Sequence, residues 1–330
     1  MTGSDDGRGA PVALGPGDRE QPAGRVFALV LADLLAEVRR HEPAVLAGDD
    51  VEALHDYRVG LRRARSLLAA GRDVYPPEEL ELLRALTAEL AAATSPVRDL
   101  DVLLQSYDEL AEHVPPALGD GSERLRAELA RRREDAHGKL VAKIRSDAHQ
   151  VLLRRWYVLG SVHRIGGSDP GPAALRPTGP IVDDLICRAY QRALRRGDRL
   201  IASDDPADWH RLRRRLKRLR YLVAAFAALY PEGSLDPLQK ELRKLQDRFG
   251  ALQDDVAGGE LVTRVGAELG GDAALAAGAV AGELHRRTRE DLRRCRDRWP
   301  RLGRKKVRRA LEQALAGAPE GAAAPCSSAG

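Results

Sequence analysis

The residues best placed to do chemistry form two short basic stripes. His55, Arg58, Arg62 and Arg65 fall at i, i+3, i+7 and i+10, a spacing that keeps all four on one narrow face of an α-helix. His210, Arg213, Lys217 and Arg220 repeat the pattern, and Arg63, Arg214 and Arg218 widen it. Like charges this close repel one another, so a stripe kept twice points to an anion that neutralises it. Arginine donates two parallel hydrogen bonds to phosphate oxygens, lysine adds a point charge, and histidine adds charge when protonated, near pH ~6.5 if unperturbed. A polyanion favours the protonated imidazole, so binding should weaken as pH rises. The rival reading is a solvated charged face, common in Arg-rich helices.

The register of the two stripes is not accidental. His210 follows His55 by 155 residues, and the same offset aligns Arg58 with Arg213, Arg62 with Lys217, Arg63 with Arg218, Tyr75 with Tyr230 and Pro76 with Pro231. Without a gap it continues through Asp99 and Asp254 to Arg132 and Arg287, Lys139 and Arg294, and Lys143 and Arg298. The chain is therefore internally duplicated. Two side-by-side copies should create a basic groove along a pseudo-twofold axis.

The elements that position these stripes read as helices throughout. Val26, Leu29, Val30, Leu34, Leu35 and Val38 recur at helical spacing, and a second helix runs from Val51 to Val74, stopping at Tyr75-Pro76-Pro77. A third covers Glu78 to Ala93, a fourth Val97 to about Glu112, and a long one Ser122 to about Leu159. Leu54, Leu61 and Leu68, with Leu212, Leu216, Leu219, Val223 and Phe226, supply the buried sides of the striped helices. The expected class is all-α: two pseudo-symmetric four-helix-type bundles packed side by side. Residues 25–164 form the first repeat, the Gly/Pro-rich stretch 165–180 a linker, and residues 181–316 the second repeat. Residues 1–24 and 317–330 read as disordered tails.

Composition agrees. Of 330 residues, 43% are hydrophobic and only 4% aromatic, so the core must be built from Leu, Ala and Val. Lys and Arg number 54 against 49 acids, a net charge of +5 whose distribution matters more than its total. The three cysteines fit neither a zinc pattern nor a disulfide framework. No apolar run approaches a membrane span and no signal peptide is evident, which makes a cytoplasmic location the expectation.

Other charged residues extend or frame the stripes. Arg132, Lys139, Lys143, Arg287 and Arg294 lie on later helices and are candidates for the same basic surface. Asp99 and Asp254 are read as partners that orient stripe arginines, in preference to metal ligands. No metal site, cofactor or catalytic residue is expected, because no nucleophile–base pair, phosphate-cradling loop or metal motif stands out. The C-terminal run Arg301, Arg304, Lys305, Lys306, Arg308 and Arg309 is similar to a nucleic-acid-binding tail by composition alone and is left outside the site.

These residues resemble the CHAD domain, the conserved histidine α-helical domain. The family pattern is met by His55, Arg58, Arg62-Arg63 and Arg65, then by Arg98-Asp99-Leu100-Asp101-Val102; the resemblance spans roughly residues 25–315. The second copy departs at Gln253-Asp254-Asp255-Val256, which lacks the Arg and shifts the second Asp. The resemblance implies paired four-helix bundles whose basic surface binds inorganic polyphosphate and targets the protein to polyphosphate granules, without enzymatic activity. Some members fuse a CYTH triphosphatase domain; with about 24 residues before the first helix, a stand-alone type is expected here. The alternatives are nucleic-acid binding, disfavoured by the shortage of aromatics for base stacking, a phosphate-ester hydrolase or transferase using His55 or His210, and an adaptor that docks an acidic partner.

Overall fold

The structure is a computed structural model that describes residues 14–161 and 170–316. Among them the chain is all-α, with no strand beyond an isolated bridge between Pro22 and Pro177. The first half supplies α1 (Ala23–Ala47), α2 (Val51–Ala70), α3 (Pro77–Ala93), α4 (Ser95–Gln105), α5 (Tyr107–Ala111), α6 (Gly119–Ile144) and α7 (Asp147–Gly160). The second supplies α8 (Thr178–Ala202), α9 (Pro206–Phe226), α10 (Asp236–Leu269), α11 (Gly271–Arg298) and α12 (Lys305–Ala316). The start of α1 maps onto that of α8, and the start of α2 onto that of α9, at the offset of the sequence repeat. The three helices α3, α4 and α5 correspond to the single long helix α10.

Local chemistry fixes the two striped helices alike. Asp50 caps α2, its carboxylate accepting from the backbone N–H of Glu52 and Ala53; Asp205 caps α9 by accepting from Ala207. Each cap satisfies donors that the first helical turn would otherwise leave unpaired. Each helix then buries its leucine stripe: Leu54, Leu61, Leu67 and Leu68 in α2, and Leu212, Leu216, Leu219 and Phe226 in α9.

Two helical expectations need correction. The fourth helix is interrupted at Ser106, between α4 and α5, and the long Ser122–Leu159 helix is two helices, α6 and α7. Ser146 makes the second break, its hydroxyl capping α7 by accepting from His149. The new direction buries His149 and Trp156 against α1, where Trp156 donates its indole N–H to the Leu31 carbonyl at 3.0 Å.

The boundaries of the tails and linker also move. Residues 1–13, 162–169 and 317–330 of those expectations lie outside the described residues. Residues 14–22, read as tail, belong to the folded body: Arg19 is buried and grips Asp183 of α8 through both guanidinium nitrogens, at 2.6 and 3.1 Å. Tyr230 donates to the same carboxylate at 2.7 Å, so this buried charge pair carries an extra hydrogen bond. Residues 170–177, read as linker, are stitched to the first half by Ala173 N–H to Asp73 O at 2.7 Å and Gly24 N–H to Ala174 O at 2.8 Å. A side chain at Gly171 would meet the Asp73 backbone at 2.5 Å, so glycine permits this approach. Cys187 and Cys295 are both buried, and Cys295 is a free thiol.

Two hydrophobic clusters hold the halves together. The larger joins α1, α2, α3 and α7 to α8, α9, α12 and the first part of α10. The smaller packs Leu100, Leu103, Tyr107, Leu125 and Leu129 of the first half against Val262, Val265, Val280 and Leu284 of the second. Reciprocal ion pairs clamp its rim, with Arg132 reaching Glu268 and Arg287 reaching Glu109.

Candidate anion-binding site

The stripes of α2 and α9 meet. Arg58 and Arg62 of α2 lie within electrostatic reach of Arg213 and Lys217 of α9, with Asp99 and Arg98 of α4 and Asp254 of α10 completing the cluster. Arg58, Arg62, Arg98, Arg213 and Lys217 thus face two carboxylates, a local excess of cations set between packed helices.

Burial makes that excess costly. Arg58 is buried, donating one Nη to the Thr94 hydroxyl at 2.6 Å and the Ser95 hydroxyl at 3.1 Å, while its Nε has no partner among the described residues. Its counterpart Arg213 likewise has a buried, unpartnered Nε, and its nearest carboxylate oxygen, on Asp254, stands 4.0 Å away. The second half has Phe249 and Gly250 where Thr94 and Ser95 stand, so Arg213 has no hydroxyls to meet. Desolvation, reinforced by Arg62, lowers Arg58 to about 10. Desolvation, with Arg213 and Arg62 beside it, pushes the Lys217 ammonium down to about 6, so it is largely neutral near pH 7. Burial raises Asp99, against the pull of Arg58.

The histidines sit at the cluster's edges in different company. His55 is half-buried, and desolvation followed by the charge of Arg98 holds its imidazole below the ordinary value. His210 is exposed and pairs through Nδ1 with the side-chain oxygen of Gln253 at 2.8 Å. Gln253 occupies the register of Arg98, so the Arg lost from the second motif is replaced by a neutral partner for the second histidine.

The remaining candidates disperse. Arg63 turns to Glu37 at 2.7 Å, and Lys143 pairs with Glu89. Arg132 and Arg287 are held by Glu128 and Glu283 as well as by their cross-half partners, and Arg294 by Glu290 and Asp291. These five are engaged by acids on neighbouring turns or helices and lie outside the α2–α9 cluster. Lys139 and Arg65 are exposed and unpaired among the described residues. Arg220 is tied to Gln246 at 3.0 Å. Arg214 and Arg218 point to another face of α9, where Arg218 lies near Arg192 and Arg84, and Arg214 near Arg215.

Arg98 was not among the expected ligands, yet it stands in the cluster; its signal was its place in the Arg98-Asp99 motif. Asp101, the other acid of that motif, is buried away from the stripes in an ion pair with Arg133 at 2.9 Å. Arg133 also donates to the Gly48 carbonyl at 2.8 Å, which ties the motif to the left-handed residue that ends α1. No group of three His, Cys, Asp or Glu that could hold a metal ion occurs among the described residues, and no described helix is long and apolar enough to cross a membrane.

The fold is similar to that of solved proteins. The CHAD domain from the plant Ricinus communis superposes with a TM-score of 0.70 at 24% identity, covering 94% of this chain and 97% of that one. PptA from Streptomyces chartreusis superposes with a TM-score of 0.64 at 18% identity, covering 84% of this chain and 99% of that one. At those identities the likeness speaks to fold. Two uncharacterized proteins of Mycobacterium tuberculosis, MT2285 of strain CDC 1551 / Oshkosh and Rv2226 of strain ATCC 25618 / H37Rv, are each 28% identical over 255 residues. That match covers 74% of this chain and 46% of either relative, so the chain spans about half the length of the curated relatives it matches. The CHAD domain model matches residues 29–263, more than half of the sequence, and the chain belongs to the CHAD domain family.

Proposed function

We propose that the α2–α9 cluster binds inorganic polyphosphate, without catalysing a reaction, and that this binding places the protein on polyphosphate granules in the cytoplasm. The observation that carries the reading is the clustered cation excess: buried Arg58 with the partly buried Arg62, Arg98, Arg213 and, once protonated, Lys217, against the exposed Asp99 and Asp254, with two matched arginine Nε atoms buried and unpartnered. Buried donors lacking a partner raise the energy of the free protein, and phosphate oxygens relieve that cost. Membership in the CHAD family supports polyphosphate as the anion, while the cluster alone supports anions generally.

His55 and His210 flank the cluster, and His55, held below its ordinary value in the free protein, adds charge when the ligand draws a proton onto it. Lys217 is the larger proton acceptor: near pH 7 it is mostly neutral in the free protein and becomes protonated beside a polyanion. Polyphosphate binding is therefore expected to take up protons.

The test is polyphosphate affinity across salt for the wild type, for Arg62→Glu, and for Arg213→Glu with Lys217→Glu. Arg62 forms no ion pair among the described residues, so its reversal should weaken binding about tenfold without loss of helix. The double reversal should cost about a hundredfold, and the salt slope should fall in both variants. A salt-insensitive complex, or variants that bind as the wild type does, would overturn the reading. Competition at fixed salt separates polyphosphate from DNA and RNA.

A further inference from the structure

A second basic constellation lies outside the α2–α9 cluster. Where the start of α10 packs near α12, a cavity of about 700 Å³ is lined by Lys240, Arg243, Lys244, Arg301, Arg304 and Lys306. Two acids share the lining: Asp236, and Glu241, which is already engaged by Arg298 at 2.9 Å. None of the six cations forms an ion pair among the described residues. The C-terminal basic run that composition alone likened to a tail is thus folded onto a helix and joined there by three cations distant in sequence.

The matching place in the first half is built on the opposite principle. The registers of Lys240, Arg243 and Lys244 hold Ala85, Ala88 and Glu89, and those of Arg301, Arg304 and Lys306 hold Ser146, His149 and Val151. Glu89 pairs with Lys143, and His149 is buried against Glu42 at 2.9 Å, leaving a space of about 10 Å³ between them. One copy is closed and charge-balanced; the other is open and carries six cations. Mutual repulsion among those cations is a cost that the first copy avoids.

We propose that this cavity is a second anion site, distinct from the α2–α9 cluster, that takes a short, compact chain of phosphates. Its volume suits a small ligand with several charges, in the range of ordinary ligand pockets of roughly 300–1,000 Å³. Its lining mixes the arginine fork with lysine point charges, the combination that coordinates several phosphates at different angles. No aromatic residue lines it, so a nucleobase gains no stacking there and the phosphates alone account for recognition.

The proposal is independent of the α2–α9 reading and is tested by titration calorimetry of the full chain with inorganic triphosphate and, separately, with adenosine triphosphate. The variants are Lys244→Glu with Arg304→Glu, Lys244→Gln with Arg304→Gln, and Arg213→Glu with Lys217→Glu. Inorganic triphosphate should bind the wild type, and the two reversals in the cavity should weaken that binding about tenfold or more. The two glutamines should weaken it less, and the α9 variant should leave the cavity's binding in place. Adenosine triphosphate should bind no more tightly than inorganic triphosphate. The lining cations are exposed, and helical content and melting temperature check that each variant is folded. The proposal is overturned if the cavity variants bind as the wild type does, if the α9 variant alone abolishes all binding, or if the nucleotide binds markedly tighter. Loss of long-chain polyphosphate binding in the α9 variant, with triphosphate binding retained, would separate the two sites.

Discussion

The two halves repeat one helical plan yet treat charge in opposite ways. On the outer face of the first hairpin, Arg63 of α2 is neutralised by Glu37 of α1 at 2.7 Å. At the same registers in the second half stand Arg218 of α9 and Arg192 of α8, an ion pair turned into a like-charge pair; desolvation, and after it the charge of Arg192, lowers Arg218. Glu89 is matched by Lys244, and the Asp101–Arg133 pair by Val256 and Thr288. The difference teaches that matching registers of the two halves need not carry matching charge. At these registers the first half holds opposite charges in contact, and the second holds cations or uncharged residues instead.

Exchanging features between the halves tests this contrast. The largest effect is expected from Asp101→Ala, which removes the buried carboxylate from Arg133 and leaves that guanidinium only Glu134 and the Gly48 carbonyl; it should destabilise the protein by about 2 kcal/mol. Asp101→Val with Arg133→Thr, which installs the second half's pair, should recover much of that loss; chemical denaturation measures both. If the double variant is no better than the single one, the halves are not interchangeable there.

Next in size is the pH dependence of polyphosphate binding. Lys217 has a free-state value of about 6 that a bound polyanion raises, so the complex holds more protons than the free protein above that pH. Affinity should be at its full value below about pH 6 and fall about tenfold or more towards pH 8. Lys217→Arg, permanently charged, should flatten the profile, and an unchanged profile would count against Lys217 as the acceptor.

Smaller shifts should follow from the two asymmetric registers. Gln253→Arg gives the second histidine the cationic neighbour that His55 has, and should tighten polyphosphate binding about threefold, as followed by titration calorimetry. Arg192→Glu restores on the second hairpin the pair seen on the first. It should raise stability by about 0.5 kcal/mol, an effect that fades in high salt. A destabilised Arg192→Glu would show that the arginines there are packed rather than merely crowded.

Much of this was legible in the sequence, for identifiable reasons. Helical spacing placed His55, Arg58 and Arg62 on one face, and the constant offset tied them to His210, Arg213 and Lys217. The nearness of Asp254 to Arg213 was also readable, since acids within the motif were expected beside stripe arginines, but at 4.0 Å the two share no hydrogen bond. What could not be read was which cations find acids elsewhere. Arg132, Arg287 and Lys143 stand in register with the stripes, but their partners Glu268, Glu109 and Glu89 are brought to them only by tertiary packing. Lys217 was readable as a charged member of the stripe, but not that packing would desolvate it. The break at Ser146 was hidden because helical periodicity continues on both sides of it; only the hydroxyl cap redirects the chain.

The smaller hydrophobic cluster, built from α4, α5 and α6 against α10 and α11, has a consequence for how the molecule could be divided. Each half contributes apolar surface that the other must cover, much as the subunits of an obligate heterodimer do. Two polypeptides made by separating the halves should each expose that surface and associate non-specifically when produced alone. Produced together, they should assemble into one particle, with the α2–α9 cluster formed at their junction and in neither part by itself.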